Sequence, residues 1–143
     1  MPIKNYTTKV NAAQTVGEIQ GILAAHGARQ IMMDYSGNGH IGSIAFTIDT
    51  PAGRQGFQLP ARVEAVHKTL TKQHVKADYD QAERVAWRIV KDWVDAQMAI
   101  LESEQVSMDE IFLPYLIGDG GKTLYEAFCD NQLKLMEGDN CET

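Results

Sequence analysis

The chain has 143 residues, 44% of them hydrophobic and 22% charged, and a formal net charge of −6. That length fits one globular domain with a buried core. No apolar run approaches the roughly 18–20 residues of a membrane span, and Met1-Pro2-Ile3-Lys4-Asn5 lacks the apolar core of a signal peptide; with Cys129 and Cys141 as the only cysteines, a reducing, cytoplasmic setting without a membrane partner is expected.

Residues 3–10 alternate Tyr6, Thr8 and Val10 against Asn5, Thr7 and Lys9, a strand pattern rich in strand-forming residues. Thr15-Val16-Gly17-Glu18 has the form of a capping box, and Val16, Ile19, Ile22 and Leu23 continue at helical spacing until Gly27. Gln30–Tyr35 reads as a strand, followed by the turn Ser36-Gly37-Asn38-Gly39. Gly42, Ile44, Phe46 and Ile48 alternate with polar or small residues, the clearest strand of the chain. After the turn Thr50–Gly53, Arg54–Leu59 returns as another strand. The expected order is β-α-β-β-β, with the last three strands an antiparallel meander.

From Pro60 the pattern turns helical. Val63, Val66, His67 and Leu70 stripe a helix over about 61–73, and residues 74–79 are a polar linker. Asp80-Gln81-Ala82-Glu83 has the form of a capping box, and Asp80–Glu104 runs without Gly or Pro and carries both tryptophans, Trp87 and Trp93. At 100° per residue its apolar positions span an arc of roughly 220°, where a surface helix needs about 100°. Such a helix must be covered on more than one side, by its own domain or by a partner, and a homodimer is one way to cover it. Ser107 and Thr123 open two short helices, and residues 137–143 form an acidic tail. The fold class expected is a single α+β domain over residues 1–136, with a sheet-forming half at 1–59 and a helical half at 60–136.

Four groups of residues carry candidate chemistry. Gly120-Gly121-Lys122-Thr123 matches the end of a phosphate-binding loop, but position 116, where that loop needs its first Gly, is Leu. His67 and His74 lie near Asp78 and Asp80, yet His67 flanks an apolar stripe, and no metal or other cofactor is expected. Cys129 has no histidine near it in sequence, and no catalytic residue is assigned. The charged residues are more informative. Arg84, Arg88 and Lys91 on the long helix, with Lys68 and Lys72 on the preceding one, form a basic stripe suited to a nucleic-acid backbone. Residues 92–143 hold twelve Asp/Glu against two Lys/Arg. This acidic half suits docking to a basic protein surface, with Asp92, Asp95, Glu102, Glu104 and Trp87 as interface candidates.

The segments Gly56-Phe57-Gln58-Leu59-Pro60-Ala61, Gln81–Arg88 with Lys91-Asp92-Trp93-Val94, and Phe112-Leu113-Pro114-Tyr115-Leu116 resemble small proteins encoded in phages and prophages of Gram-positive bacteria. Lys4–Thr8 and Lys122–Glu126 fit as well, so the resemblance spans nearly the whole chain. It implies a phage setting and brings no catalytic residue with it. The resulting expectation is a non-enzymatic accessory protein that occupies a bacterial protein or complex, such as a CRISPR-type defence or nucleic-acid-handling assembly. The alternative is a single-stranded DNA or RNA binder that uses the basic stripe.

Overall fold

The computed structural model describes residues 1–130; the acidic tail lies outside the described residues. Within them the chain is α+β: helix α1 (Ala12–Ala25), strands β1 (Ala28–Tyr35), β2 (Ile41–Thr50) and β3 (Gly53–Pro60), then helices α2 (Val63–Lys72), α3 (Tyr79–Glu102), α4 (Met108–Ile111) and α5 (Leu124–Cys129). The three strands form one antiparallel sheet in the order β1-β2-β3, the expected meander. No described helix is long and apolar enough to cross a membrane.

The opening strand expected at residues 3–10 is not formed. Residues 4–7 turn instead, with Asn5 at φ 66° and the Thr8 amide donating to the Asn5 carbonyl at 3.0 Å. Asn tolerates this left-handed backbone better than most residues. Distant partners then hold the segment across the helices: the Asn5 amide donates to Asp92 at 2.8 Å, and Gln81 Nε2 donates to the carbonyls of Tyr6 and Thr8. The Tyr6 and Thr8 carbonyls, which a strand would offer a neighbour, are spent here on the Gln81 side chain of α3.

Two helix starts differ from the capping boxes read in sequence, and a third keeps its expected cap residue without the cap hydrogen bond. The first helix begins earlier, because Asn11 is its cap and accepts from the Gln14 amide at 2.8 Å; Thr15 is buried inside the helix. In α3 the cap is Asp78, accepting from Gln81, and Asp80 sits in the first turn. Ser107 stands at the cap of α4, but its hydroxyl donates to the Asp109 carboxylate. Thr123 does form the full reciprocal box with Glu126. Gly27 takes φ 110° after α1, as a residue ending a helix in the left-handed region should.

The inner sheet face carries Ile44, Phe46, Ile48, Phe57 and Leu59, all buried. Phe112 lies edge-on to Phe46 at 5.1 Å between centroids, and Phe57 stacks on Phe46 at 5.7 Å. The wide apolar arc of α3 is covered from within the chain. The helices α1 and α2 both pack against α3, and Trp87, fully buried, donates its indole N–H to the Ile41 carbonyl of β2 at 3.0 Å. Trp93 is half-buried and meets Phe112 and Tyr115 edge-on. Much of the arc is thus covered within the chain, while Ile89, Val90, Trp93, Ile100 and Leu101 stay half-buried.

Candidate functional site

The two edges of the sheet are treated differently. On the β3 side, the segment after α4 comes alongside: Leu116 bridges Phe57, and the Ile117 amide donates to the Gly56 carbonyl at 2.8 Å. On the β1 side no strand or segment pairs with the edge among the described residues.

Which backbone groups stay open follows from the ladder. Gly56 turns its carbonyl away from β2, so Phe57 and Leu59 turn theirs toward it, pairing with Phe46 and Ile44. On β2 the alternate residues Ser43, Ala45 and Thr47 then face β1, opposite Asp34, Met32 and Gln30. The remaining residues of β1, Ile31 and Met33, direct their N–H and C=O groups outward at the open edge. The paired stretch ends in register shifts at Ala28/Gln30 and Asp34/Tyr35. No Pro or Lys, the residues that commonly blunt an edge, occurs in Ala28–Tyr35.

Exposed apolar side chains accompany this edge. Met32 is 61% exposed and Tyr35 59%. Beside Met32 the outer sheet face has an open depression of about 420 Å³, lined by Gln30, Ala45, Thr47, Gly56 and Ile117 among others. Arg29 binds Asp49, and Asp34 accepts from the Ser43 hydroxyl at 3.1 Å, so one charge of each sign flanks the apolar centre.

The residues of the basic stripe are divided. Arg88 is directed at α1, donating to Thr15 Oγ1 at 3.1 Å and to Glu18 at 3.0 Å. Lys91 binds Asp95 at 2.8 Å and lies 4.0 Å from Glu18. Glu18 is held below the usual carboxylate range, first by the Gln14 amide and, against the opposing effect of burial, by Arg88 and Lys91. Arg84 donates to Gln81 at 2.8 Å. Lys68 and Lys72 are exposed on α2 without an ion pair among the described residues. The stripe is thus not one free patch: its Arg88 and Lys91 pin α3 to α1.

The acidic candidates are similarly engaged. Asp92 takes the Asn5 amide and lies 3.4 Å from Lys4. Burial raises its pKa, but Asn5, Lys4 and Arg88 outweigh that and hold the carboxyl below its usual value. Asp95 binds Lys91, and Glu102 binds His26 at 2.9 Å. Glu104 is exposed, at φ 65° just beyond α3. Trp87 presents no surface at all, so it is a core residue and not an interface contact.

A second constellation, unmarked by any sequence spacing, forms where the β1–β2 turn meets the start of α3. His40 Nε2 lies 2.6 Å from Asp80 Oδ1, and Glu83 Oε2 accepts from the Ile41 amide at 2.7 Å. One donor atom from each of His40, Asp80 and Glu83 falls within 4.8 Å of the other two. Tyr79 packs edge-on against His40 at 4.5 Å and donates to Glu64 at 2.9 Å. Burial first, then the hydrogen bond to Glu64 and the charges of Glu64 and Glu83, raise the Tyr79 phenol above its ordinary pKa. His67, by contrast, points to the Ala77 carbonyl at 3.1 Å, and His74 is exposed; the two do not share this site.

Comparison with protein-family models, with curated proteins and with solved structures returned no match.

Proposed function

We propose that the protein is a non-enzymatic binding factor that receives an extended segment of a partner protein along the open edge of β1. The single observation that carries this reading is the outward-facing backbone of Ile31 and Met33 beside exposed Met32 and Tyr35. A row of unpaired amide and carbonyl groups is satisfied best by another strand, and alternate side chains then set which strand is accepted. The partner segment would carry apolar residues on the Met32 side, with charges placed to meet Arg29 and Asp34. In the phage setting that the resemblance implies, the partner is a bacterial protein in the host cytoplasm. A CRISPR-type defence complex or a nucleic-acid-handling complex is the target class we favour.

The nucleic-acid binder is the second reading: Arg88 and Lys91 are engaged by α1, whereas Lys68 and Lys72 stay exposed on α2. One experiment separates the readings. Tagged wild type and Met33→Pro are used to capture proteins from bacterial lysate, with and without nuclease. Proline removes an edge-facing N–H, which an edge strand tolerates, but it also removes the half-buried Met33 side chain, so circular dichroism must show the variant folded. A nuclease-resistant partner retained by wild type and lost by a folded Met33→Pro protein supports strand addition. Equal retention by both proteins moves the interface elsewhere, and recovery that vanishes with nuclease restores nucleic acid as the ligand.

A further inference from the structure

The geometry points to a divalent transition-metal site, best suited to Zn²⁺, formed by His40 Nε2 with the carboxylates of Asp80 and Glu83. These three donors come from two places: His40 ends the β1–β2 turn just before β2, and Asp80 and Glu83 lie in the first turns of α3. Carboxylates at a helix start are explained by the helix dipole alone. The dipole does not explain an imidazole nitrogen delivered to them from a residue 40 positions away.

The donor set has the chemistry of such a site. One imidazole nitrogen and two carboxylate oxygens suit Zn²⁺, which takes His and Asp/Glu ligands and keeps an open position when the protein supplies three. With bonds of about 2.1 Å, a tetrahedral ion needs its ligand atoms roughly 3.4 Å apart. The three donors already lie within 4.8 Å of one another, and Asp80, exposed, is free to turn away from its 2.6 Å contact with the ring. Glu83 has a second oxygen to offer, since only Oε2 accepts from Ile41. The other ring nitrogen of His40 is buried without a partner, so Nε2 is the nitrogen available to the carboxylates. Neighbouring carboxylates offset the positive end of α3. Glu64 lies behind Tyr79 and Asp78 caps α3, against Arg62 as the cation that lines the adjoining cavity.

An ion at this point would tie the turn at Ser36–His40 to the start of α3. It is separate from strand addition at β1, and either can fail without the other. The test is isothermal titration of the full chain with ZnCl₂, paired with thermal melting. Wild type should bind one Zn²⁺ at micromolar or better affinity, and a hundredfold excess over Kd should raise Tm by about 5–10 °C. His40→Ala and Asp80→Asn should each weaken binding at least about tenfold, as loss of a ligand does. Glu83→Gln retains an acceptor for Ile41 and should weaken binding without unfolding the chain. His74→Ala, which alters an exposed histidine outside the cluster, should bind as wild type does. The site is overturned if wild type takes no Zn²⁺ below millimolar concentration, or if His40→Ala and Asp80→Asn bind unchanged. Binding of Mg²⁺ as tight as Zn²⁺ would also overturn it, because a hard oxygen-seeking ion has no use for His40.

Discussion

Replacing Trp87 by Phe separates two contributions that the centre of this fold combines. The ring is fully buried between α3 and the sheet, and its N–H reaches the Ile41 carbonyl at 3.0 Å. Phe keeps an aromatic ring there but removes the pyrrole part and the donor. The lost apolar contact amounts to a few methylene equivalents at about 0.8 kcal/mol each, partly recovered by repacking. A buried carbonyl left without its donor costs about 1–3 kcal/mol. The variant should therefore lose about 2–4 kcal/mol. Urea unfolding followed by far-UV circular dichroism reads this directly, since tryptophan fluorescence is itself altered by the change. With a slope of about 2 kcal/mol/M the midpoint should fall by about 1–2 M at unchanged slope. Trp93→Ala serves as the comparison: its half-buried ring should cost less than truncating Trp87 to Ala, which would approach 5 kcal/mol. A Trp87→Phe protein within about 0.5 kcal/mol of wild type would refute the packing of α3 on β2 described above.

Other perturbations test separate joints of the fold. His26 is raised above its ordinary pKa by the Ile22 carbonyl first and the Glu102 carboxylate second, so its contribution is fully present below about pH 6.5 and fades as pH rises through its higher folded value. His26→Gln should accordingly lose more stability relative to wild type near pH 5.5 than near pH 8.5; a pH-independent difference in urea midpoints would dismiss the ionic latch between α1 and α3. Asn11→Ala should cost about 1 kcal/mol through loss of the α1 cap, measured by the same denaturation, whereas a neutral result would place the helix start at Thr15 after all.

Legibility in the sequence followed the range of the interactions. The meander and α3 depend on patterns within a few residues of each other, and both were readable. The opening alternation of Tyr6, Thr8 and Val10 was equally regular, yet it is decided by Gln81 and Asp92, which lie 73 to 87 residues away. Asp78 and Asp80 are interchangeable as caps on paper; only the packed helix start selects between them. The contact of His40 with Asp80 had no signal of its own. A histidine after a turn and an acid at a helix start each have an ordinary local explanation, and their meeting depends on how the hairpin lies over α3. The basic stripe is divided for a related reason. Arg88 and Lys91 share a polar helix face, but the helix laid against that face carries Glu18.

The open edge at β1 also limits what strand addition alone can achieve. Ile31 and Met33 offer four backbone groups, and a net gain of about 0.5–1.5 kcal/mol per hydrogen bond gives about 2–6 kcal/mol. Association costs about 4–15 kcal/mol in lost translational and rotational freedom before ordering of the peptide is counted. In the proposed strand addition, backbone pairing would therefore set the register of a partner without holding it. The holding must come from Met32 and Tyr35, each more than half exposed, and from the depression next to Met32 on the outer sheet face. Fully burying a side chain such as Met32 supplies about 1.5–3 kcal/mol. Met32→Ala should therefore weaken partner binding by about tenfold or more while leaving stability nearly unchanged, because the side chain gives little to the isolated fold. A stability loss comparable to that of a core truncation, with binding intact, would place Met32 in the fold and remove it from the interface.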